Sequence, residues 1–166
     1  MNKGGLIEQL YSRYYEPLMV IACSYTHNRQ AAEDLVQNAF LKAILSYKPT
    51  GSFLSWANRV IRNDFLNSIR AEKYRADDEP ETMDLADCYD LLESLIHNEK
   101  KARLAAMIAS LPLRQRAIMI ESVYLELDDE KIAKAHATTA ANVRQIRSRA
   151  QTALIKMMAN EEDANE

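Results

Sequence analysis

At 166 residues the chain has room for one ordinary domain or two small ones, and its 48% hydrophobic content is enough for packed cores. Its 3 Gly and 4 Pro stand among abundant Ala, Leu, Ile, Glu, Lys and Arg, which excludes collagen-like and disordered classes and points to an all-α protein. The net charge of −3 averages over four blocks: residues 1–75 carry +4, 76–98 carry −8, 99–158 carry +5 and 159–166 carry −4, so two basic modules flank an acidic connector.

The first apolar periodicity runs through Leu6, Leu10, Leu18, Ile21, Ala22 and Tyr25, with Pro17 expected to bend or restart the helix. His27-Asn28-Arg29-Gln30 reads as a turn. Asn28 is placed to cap a second helix from Arg29 to about Tyr47, whose first turns carry Glu33 and Asp34 where the helix dipole favours anions. Lys48-Pro49-Thr50-Gly51 stops it. Ser52 caps a third helix reaching about Lys73, with Leu54, Ala57, Ile61, Phe65 and Ile69 as its core stripe. Arg59, Arg62, Asn63, Arg70 and Lys73 lie on the other side, a basic, amide-rich face long enough to track nucleic acid.

Residues 76–90, rich in acids with one Pro and little periodicity, read as an extended, flexible linker and the domain boundary. A helical pattern resumes at about Leu91, runs through Ile108, stops at Ser110-Leu111 and restarts with Pro112 at a first-turn position, ending near Leu125. Asp128 caps a short helix from Asp129 to about Ala135. After a break at His136-Ala137-Thr138, Thr139 caps a long helix bearing Asn142, Arg144, Arg147 and Arg149. Two helices joined by so short a turn match a helix-turn-helix. The chain thus divides into 1–75, a linker at 76–90, 91–158 and an acidic tail at 159–166.

Several chemistries find no support. Cys23 and Cys88 stand 65 positions apart without a CxxC or a neighbouring His or Cys at ligand spacing, so structural thiols and no metal site are expected. His136 reads as a structural or surface histidine rather than a pH sensor, His27 and His97 lack clustered acids or nucleophiles, and no phosphate-cradling Gly loop or catalytic triad is present; neither a cofactor nor an enzymatic activity is expected. No apolar run approaches the roughly 18 residues needed to cross a bilayer, and the N-terminus lacks a signal-peptide core, so a cytoplasmic protein without membrane insertion is expected.

The run Ala32-Glu33-Asp34-Leu35-Val36-Gln37-Asn38-Ala39-Phe40-Leu41-Lys42, followed by Ser52-Phe53-Leu54-Ser55-Trp56 and Arg62-Asn63, resembles region 2 of extracytoplasmic-function sigma factors of the sigma-70 family. The resemblance implies that Asp34, Gln37, Asn38 and Phe40 contact core polymerase. It implies too that the loop Thr50, Gly51, Ser52 and Phe53, with Trp56, Arg59, Arg62, Asn63 and Arg70, opens and holds the minus-ten element. The chemistry suits that task, because an unstacked base needs a pocket beside stacking and cationic groups. Trp56 serves either there or in the core. Asn67 stands where the family often has Asp, so promoter preference does not transfer.

Ser110-Leu111-Pro112-Leu113-Arg114-Gln115-Arg116, Lys131-Ile132-Ala133 and Val143-Arg144-Gln145-Ile146-Arg147 resemble region 4 of the same family, which places Thr139, Asn142, Arg144 and Arg147 at the minus-thirty-five element. Arg and Asn on a helix in the major groove read guanine and adenine edges. His136 and Ala137 depart from the family, which usually has an apolar residue and a Gly there.

The resemblance implies two small helical domains and a non-enzymatic, alternative sigma factor that joins bacterial RNA polymerase core, recognises promoter DNA and directs transcription initiation. The linker acids Asp77, Asp78, Glu79 and Glu81 would face a basic polymerase channel, and an anti-sigma factor is a further partner. Two other classes stay open at this point: a polymerase-independent helix-turn-helix regulator, and a scaffold or anti-sigma-type protein without DNA contact.

Overall fold

The computed structural model describes residues 3–75 and 85–164, and in them the chain is all-α. The helices are α1 (Lys3–Thr26), α2 (Arg29–Ser46), α3 (Phe53–Arg75), α4 (Leu85–Ile96), α5 (Glu99–Ala109), α6 (Leu113–Met119), α7 (Asp129–Ala135) and α8 (Ala140–Ala164), with a π turn over Ile120–Tyr124. The caps expected from the sequence are in place. Asn28 Oδ1 accepts from the Ala31 amide at 2.9 Å, Ser52 Oγ from Ser55 at 3.2 Å, Asp128 Oδ1 from Lys131 at 2.8 Å and Thr139 Oγ1 from Asn142 at 3.1 Å.

Other boundaries differ from the sequence reading. Pro17 neither stops nor restarts α1; it lies on the exposed side, where water can take the carbonyl that the missing N–H leaves unpaired. The pattern from Leu91 to Ile108 is broken into α4 and α5, because His97 adopts a left-handed φ of 57° and Asn98 caps α5 through the Lys101 amide at 3.0 Å. The helix α4 starts at Leu85, inside the segment read as linker, while Asp77, Asp78, Glu79 and Glu81 lie outside the described residues. The acidic tail continues α8 as far as Ala164.

α1 packs against α2 and α3 to form an N-terminal bundle, and its other side receives α4 and α5. One buried cluster therefore runs through both halves, from Leu18, Ile21, Val36, Phe40 and Ile61 to Leu92, Ile108, Ile120 and Leu154. Cys23 and Cys88 are buried, unbridged members of it, and burial pushes their thiols up to about 12 and about 11. A smaller cluster, Ile118, Ile132, Ala133, Val143 and Ile146, holds α7 against α8.

The contact between halves also has polar seams. Arg116 donates to the carbonyls of Ser24 (3.2 Å) and Tyr25 (2.9 Å) at the end of α1, where the helix dipole is negative, and to Leu111. His27, with φ 54° between α1 and α2, pairs through Nε2 with the Ala109 carbonyl at the end of α5. Burial, aided by the Arg116 charge, lowers its imidazole below the ordinary value, so the ring is held neutral with Nε2 donating.

Candidate nucleic-acid interface

Every heptad of α2 splits into two faces. Ala32, Val36, Ala39, Phe40 and Ala43 point inward, whereas Asp34, Gln37, Leu41 and Leu45 follow one another along the outside. Leu41 is 59% and Leu45 81% exposed, a large apolar area left in water on an otherwise well-packed helix. Phe40, assigned from the sequence to a partner surface, is instead core: its ring meets Tyr11 at 4.9 Å and Phe53 at 5.7 Å. Asn38 is partly buried and donates to Asp64 of α3, whose other oxygen takes Lys42 at 2.9 Å, so these side chains fasten α2 to α3.

Thr50, Gly51 and Ser52 form an exposed loop at the start of α3, and a Cβ added at Gly51 would meet nothing within 4 Å. Phe53, expected to belong to that loop, is buried beneath it because its ring closes the aromatic cluster with Tyr14, Phe40 and Tyr47. Trp56 is half-buried, stacked on Phe53 at 5.9 Å and tilted against Tyr47 at 5.2 Å, so one side serves the core while the other stays accessible. Tyr47 was not singled out from the sequence; its place at the C-cap of α2, just before Lys48-Pro49, is the signal that brings it to the loop. Arg59, Asn63 and Arg70 are exposed along α3 as expected.

Arg62 is not. Only 7% exposed, its guanidinium donates to Oε1 of Glu121 in the π turn and reaches the Ala135 carbonyl at 3.5 Å. Asn58 donates to the same Glu121 oxygen at 3.4 Å, and Nε2 of His136 bonds the other. A carboxylate only accepts, so Nε2 must carry the proton; the 2.9 Å approach of Arg62 to that nitrogen is one between two donors sharing an acid. The phenol oxygen of Tyr25 and Oδ1 of Asn58 are buried without a hydrogen-bond partner among the described residues. Glu121 escaped the sequence reading, whereas His136, read there as a structural or surface histidine, is the partner of that acid. Glu121 had a signal, a lone acid in the apolar run Ala117-Ile118-Met119-Ile120 that Val123 and Tyr124 continue.

In the C-terminal half, α7 and α8 meet at a tight corner. The amides of Ala137 and Thr138 return to the carbonyls of Lys134 (3.3 Å) and Ala133 (2.9 Å), with Ala137 at φ 52°. α8 exposes Arg144 beside the cap Thr139, while Asn142 is partly buried and donates to Thr138 at 2.8 Å. Arg147 grips Asp129 with both terminal nitrogens, one contact at 3.0 Å, and Arg144 lies 3.8 Å from the same carboxylate. The hydrogen bond from Arg147 holds the Asp129 carboxyl below its ordinary range. The surface thus offers two cationic helices, an open loop and an aliphatic stripe, the parts needed to hold nucleic acid and dock on a protein. Among the described residues no cluster of metal ligands occurs and no helix is long and apolar enough to cross a membrane.

Comparison with known proteins adds three findings. The Sigma-70 region 2 family matches residues 10–75. The chain is 26% identical over 164 residues, 95% of each sequence, to a protein of Bacillus subtilis (strain 168) named RNA polymerase sigma factor YlaC. Its fold matches the sigma factor RpoE from Bartonella quintana, solved in complex with the anti-sigma factor NepR, with a TM-score of 0.66 at 18% identity over 92% of this chain and 96% of that one.

Proposed function

We propose that the chain is a member of the sigma-70 family of RNA polymerase sigma factors and acts as an alternative sigma factor of the extracytoplasmic-function type, docking on core polymerase through α2 and reading promoters with α3 and α8. The observation that carries the proposal is the outer stripe of α2, where Leu41 and Leu45 lie in water in register with Asp34 and Gln37. Apolar side chains presented this way, rimmed by polar ones, suit a protein surface rather than solvent.

The remaining roles follow from exposure and chemistry. Thr50, Gly51 and Ser52, with Trp56, Arg59, Asn63 and Arg70 beside them, hold the unpaired strand of the minus-ten element by stacking and phosphate neutralisation. Thr139, Asn142, Arg144 and Arg147 bring α8 to the major groove of the minus-thirty-five element. Phe40 and Phe53 support these surfaces from inside. The chain itself performs no turnover; synthesis belongs to the polymerase, and the work is done in the cytoplasm. An anti-sigma factor that covers the same surfaces is the natural regulator.

Competition with a housekeeping sigma for sigma-free core polymerase tests the proposal. The wild-type chain is expected to compete, and Asp34→Ala and Leu45→Asp to compete poorly while melting at the wild-type temperature, since both side chains lie outside the core. A folded wild-type chain that does not bind core polymerase would move the reading to an autonomous DNA-binding regulator.

A further inference from the structure

Asn142 is tied to two consecutive threonines in different ways. Thr139 Oγ1 accepts from its backbone amide at 3.1 Å, and Thr138 Oγ1 accepts from its side-chain Nδ2 at 2.8 Å. The first bond is what the start of a helix requires; the second is not. Resting on the sigma reading, we propose that Thr138 is a positioning residue for promoter readout: it sets the Asn142 carboxamide to recognise one adenine of the minus-thirty-five element.

Three observations carry this. The first is place. In a helix-turn-helix the N-terminal residues of the second helix meet base edges, and α8 opens Ala140-Ala141-Asn142-Val143. Asn142 is therefore the one side chain of this turn able both to donate and to accept. The second is what the hydrogen bond leaves. A carboxamide has two N–H donors and one carbonyl oxygen, so with one N–H on Thr138 the other and Oδ1 remain. That pair complements adenine, whose major-groove edge offers an acceptor at N7 and a donor at N6, whereas phosphate oxygens only accept. The third is the anchor. Thr138 is itself fixed, because its amide returns to the Ala133 carbonyl at 2.9 Å and its branched Cβ restricts rotation of the hydroxyl. The terminal torsion of an asparagine is otherwise broad. Turned by half a circle, the carboxamide would set its donor against the N6 donor of adenine, so holding the torsion is holding the preference. Thr138 acts here through Asn142 and needs no contact with DNA of its own.

Holoenzyme reconstituted from core polymerase and the full-length chain, selecting at fixed salt from promoter duplexes randomised over both elements, gives the base preference at each position by sequencing. Wild type is expected to prefer adenine at one minus-thirty-five position by about 5- to 150-fold, the range of one good bidentate contact, and Asn142→Ala to lose that preference. Thr138→Val keeps the branched shape without the hydroxyl. It is expected to lower the same preference by about two- to twelvefold, the worth of one neutral hydrogen bond, and to leave the other positions as they are. Thr138→Ser retains the hydroxyl and is expected to select as wild type does. In the Asn142→Ala background Thr138→Val is expected to change nothing further at that position. Thr138→Ala serves if Thr138→Val melts early. A preference untouched by Thr138→Val, an equal loss at every position, a loss as large in Thr138→Ser, or an Asn142→Ala profile that keeps its adenine overturns the assignment. Failure of the wild-type chain to join core polymerase removes the sigma reading instead, and the same selection with the chain alone then decides whether Thr138 sets Asn142.

Discussion

Ala137→Gly is expected to stabilise the protein, and the corner between α7 and α8 shows by how much. Ala137 is the residue after the helix cap and adopts φ 52°, with both return hydrogen bonds of a glycine-type helix ending formed. Holding a Cβ in this left-handed region costs about 1–2 kcal/mol. Glycine removes that cost but gives back about 0.5–1 kcal/mol through the greater freedom of the unfolded chain. The side chain is exposed, so no packing is lost. The net gain is about 0.5–1 kcal/mol, which for a chain of this size raises Tm by about 1–4 °C. Thermal unfolding followed by far-ultraviolet circular dichroism, supported by urea titration, measures it. His27→Gly is the internal control: it also relieves a left-handed residue, but loses the imidazole bonded to Ala109, and is expected to stabilise less or to destabilise. An unchanged or lower Tm for Ala137→Gly refutes the strain argument.

His27 is held neutral by burial, its folded value lying below the ordinary 6.5, so the unfolded chain takes up the proton first as pH falls. Stability is expected to decline as pH drops below 6.5 and to level off under the folded value; in His27→Gln, which can still donate to Ala109, urea titrations across this range are expected to show a flatter dependence. Asp129 has the usual carboxylate sign: the stability it shares with Arg147 is complete above the unfolded value of 3.8 and lost as pH falls through the lower folded one, a step absent from Asp129→Asn. The same variant frees Arg147 and Arg144 and is expected to bind minus-thirty-five duplex up to about fivefold more tightly in the holoenzyme, from the 0.2–1 kcal/mol of a partly exposed pair.

Local chemistry was legible in the sequence and distant chemistry was not. The caps Asn28, Ser52, Asp128 and Thr139 act on amides three residues ahead, so their spelling alone located the starts of α2, α3, α7 and α8. The break before α5 has the same spelling as the one before α2, His-Asn followed by a helix, but it lay within a periodic apolar run that masked it. Phe40 and Leu41 are neighbours of similar hydrophobicity, and only the angle at which α2 meets α1 and α3 decides that the ring goes in and the leucine out. Arg62 and Glu121 are 59 positions apart, and no periodicity within either helix announces the other. Reading α3 by itself therefore gave Arg62 to the same open face as Arg59 and Asn63.

If the chain works as proposed, these pairs explain how a molecule of net charge −3 presents cations to DNA without clinging to it indiscriminately. Glu121 occupies Arg62, and Asp129 occupies Arg147 and approaches Arg144. In each case a carboxylate takes donors that fit a phosphate equally well. Binding then exchanges one anion for another, and the gain per contact shrinks to the difference between them. The two exchanges are not equivalent. Asp129 lies at the surface, so a phosphate can displace it by small movements of α8 side chains. Glu121 is 2% exposed between the halves and cannot be displaced in place. On the proposed roles, the minus-thirty-five contacts require only local rearrangement, whereas Arg62 is held between the halves and is not offered to the minus-ten element in the closed body.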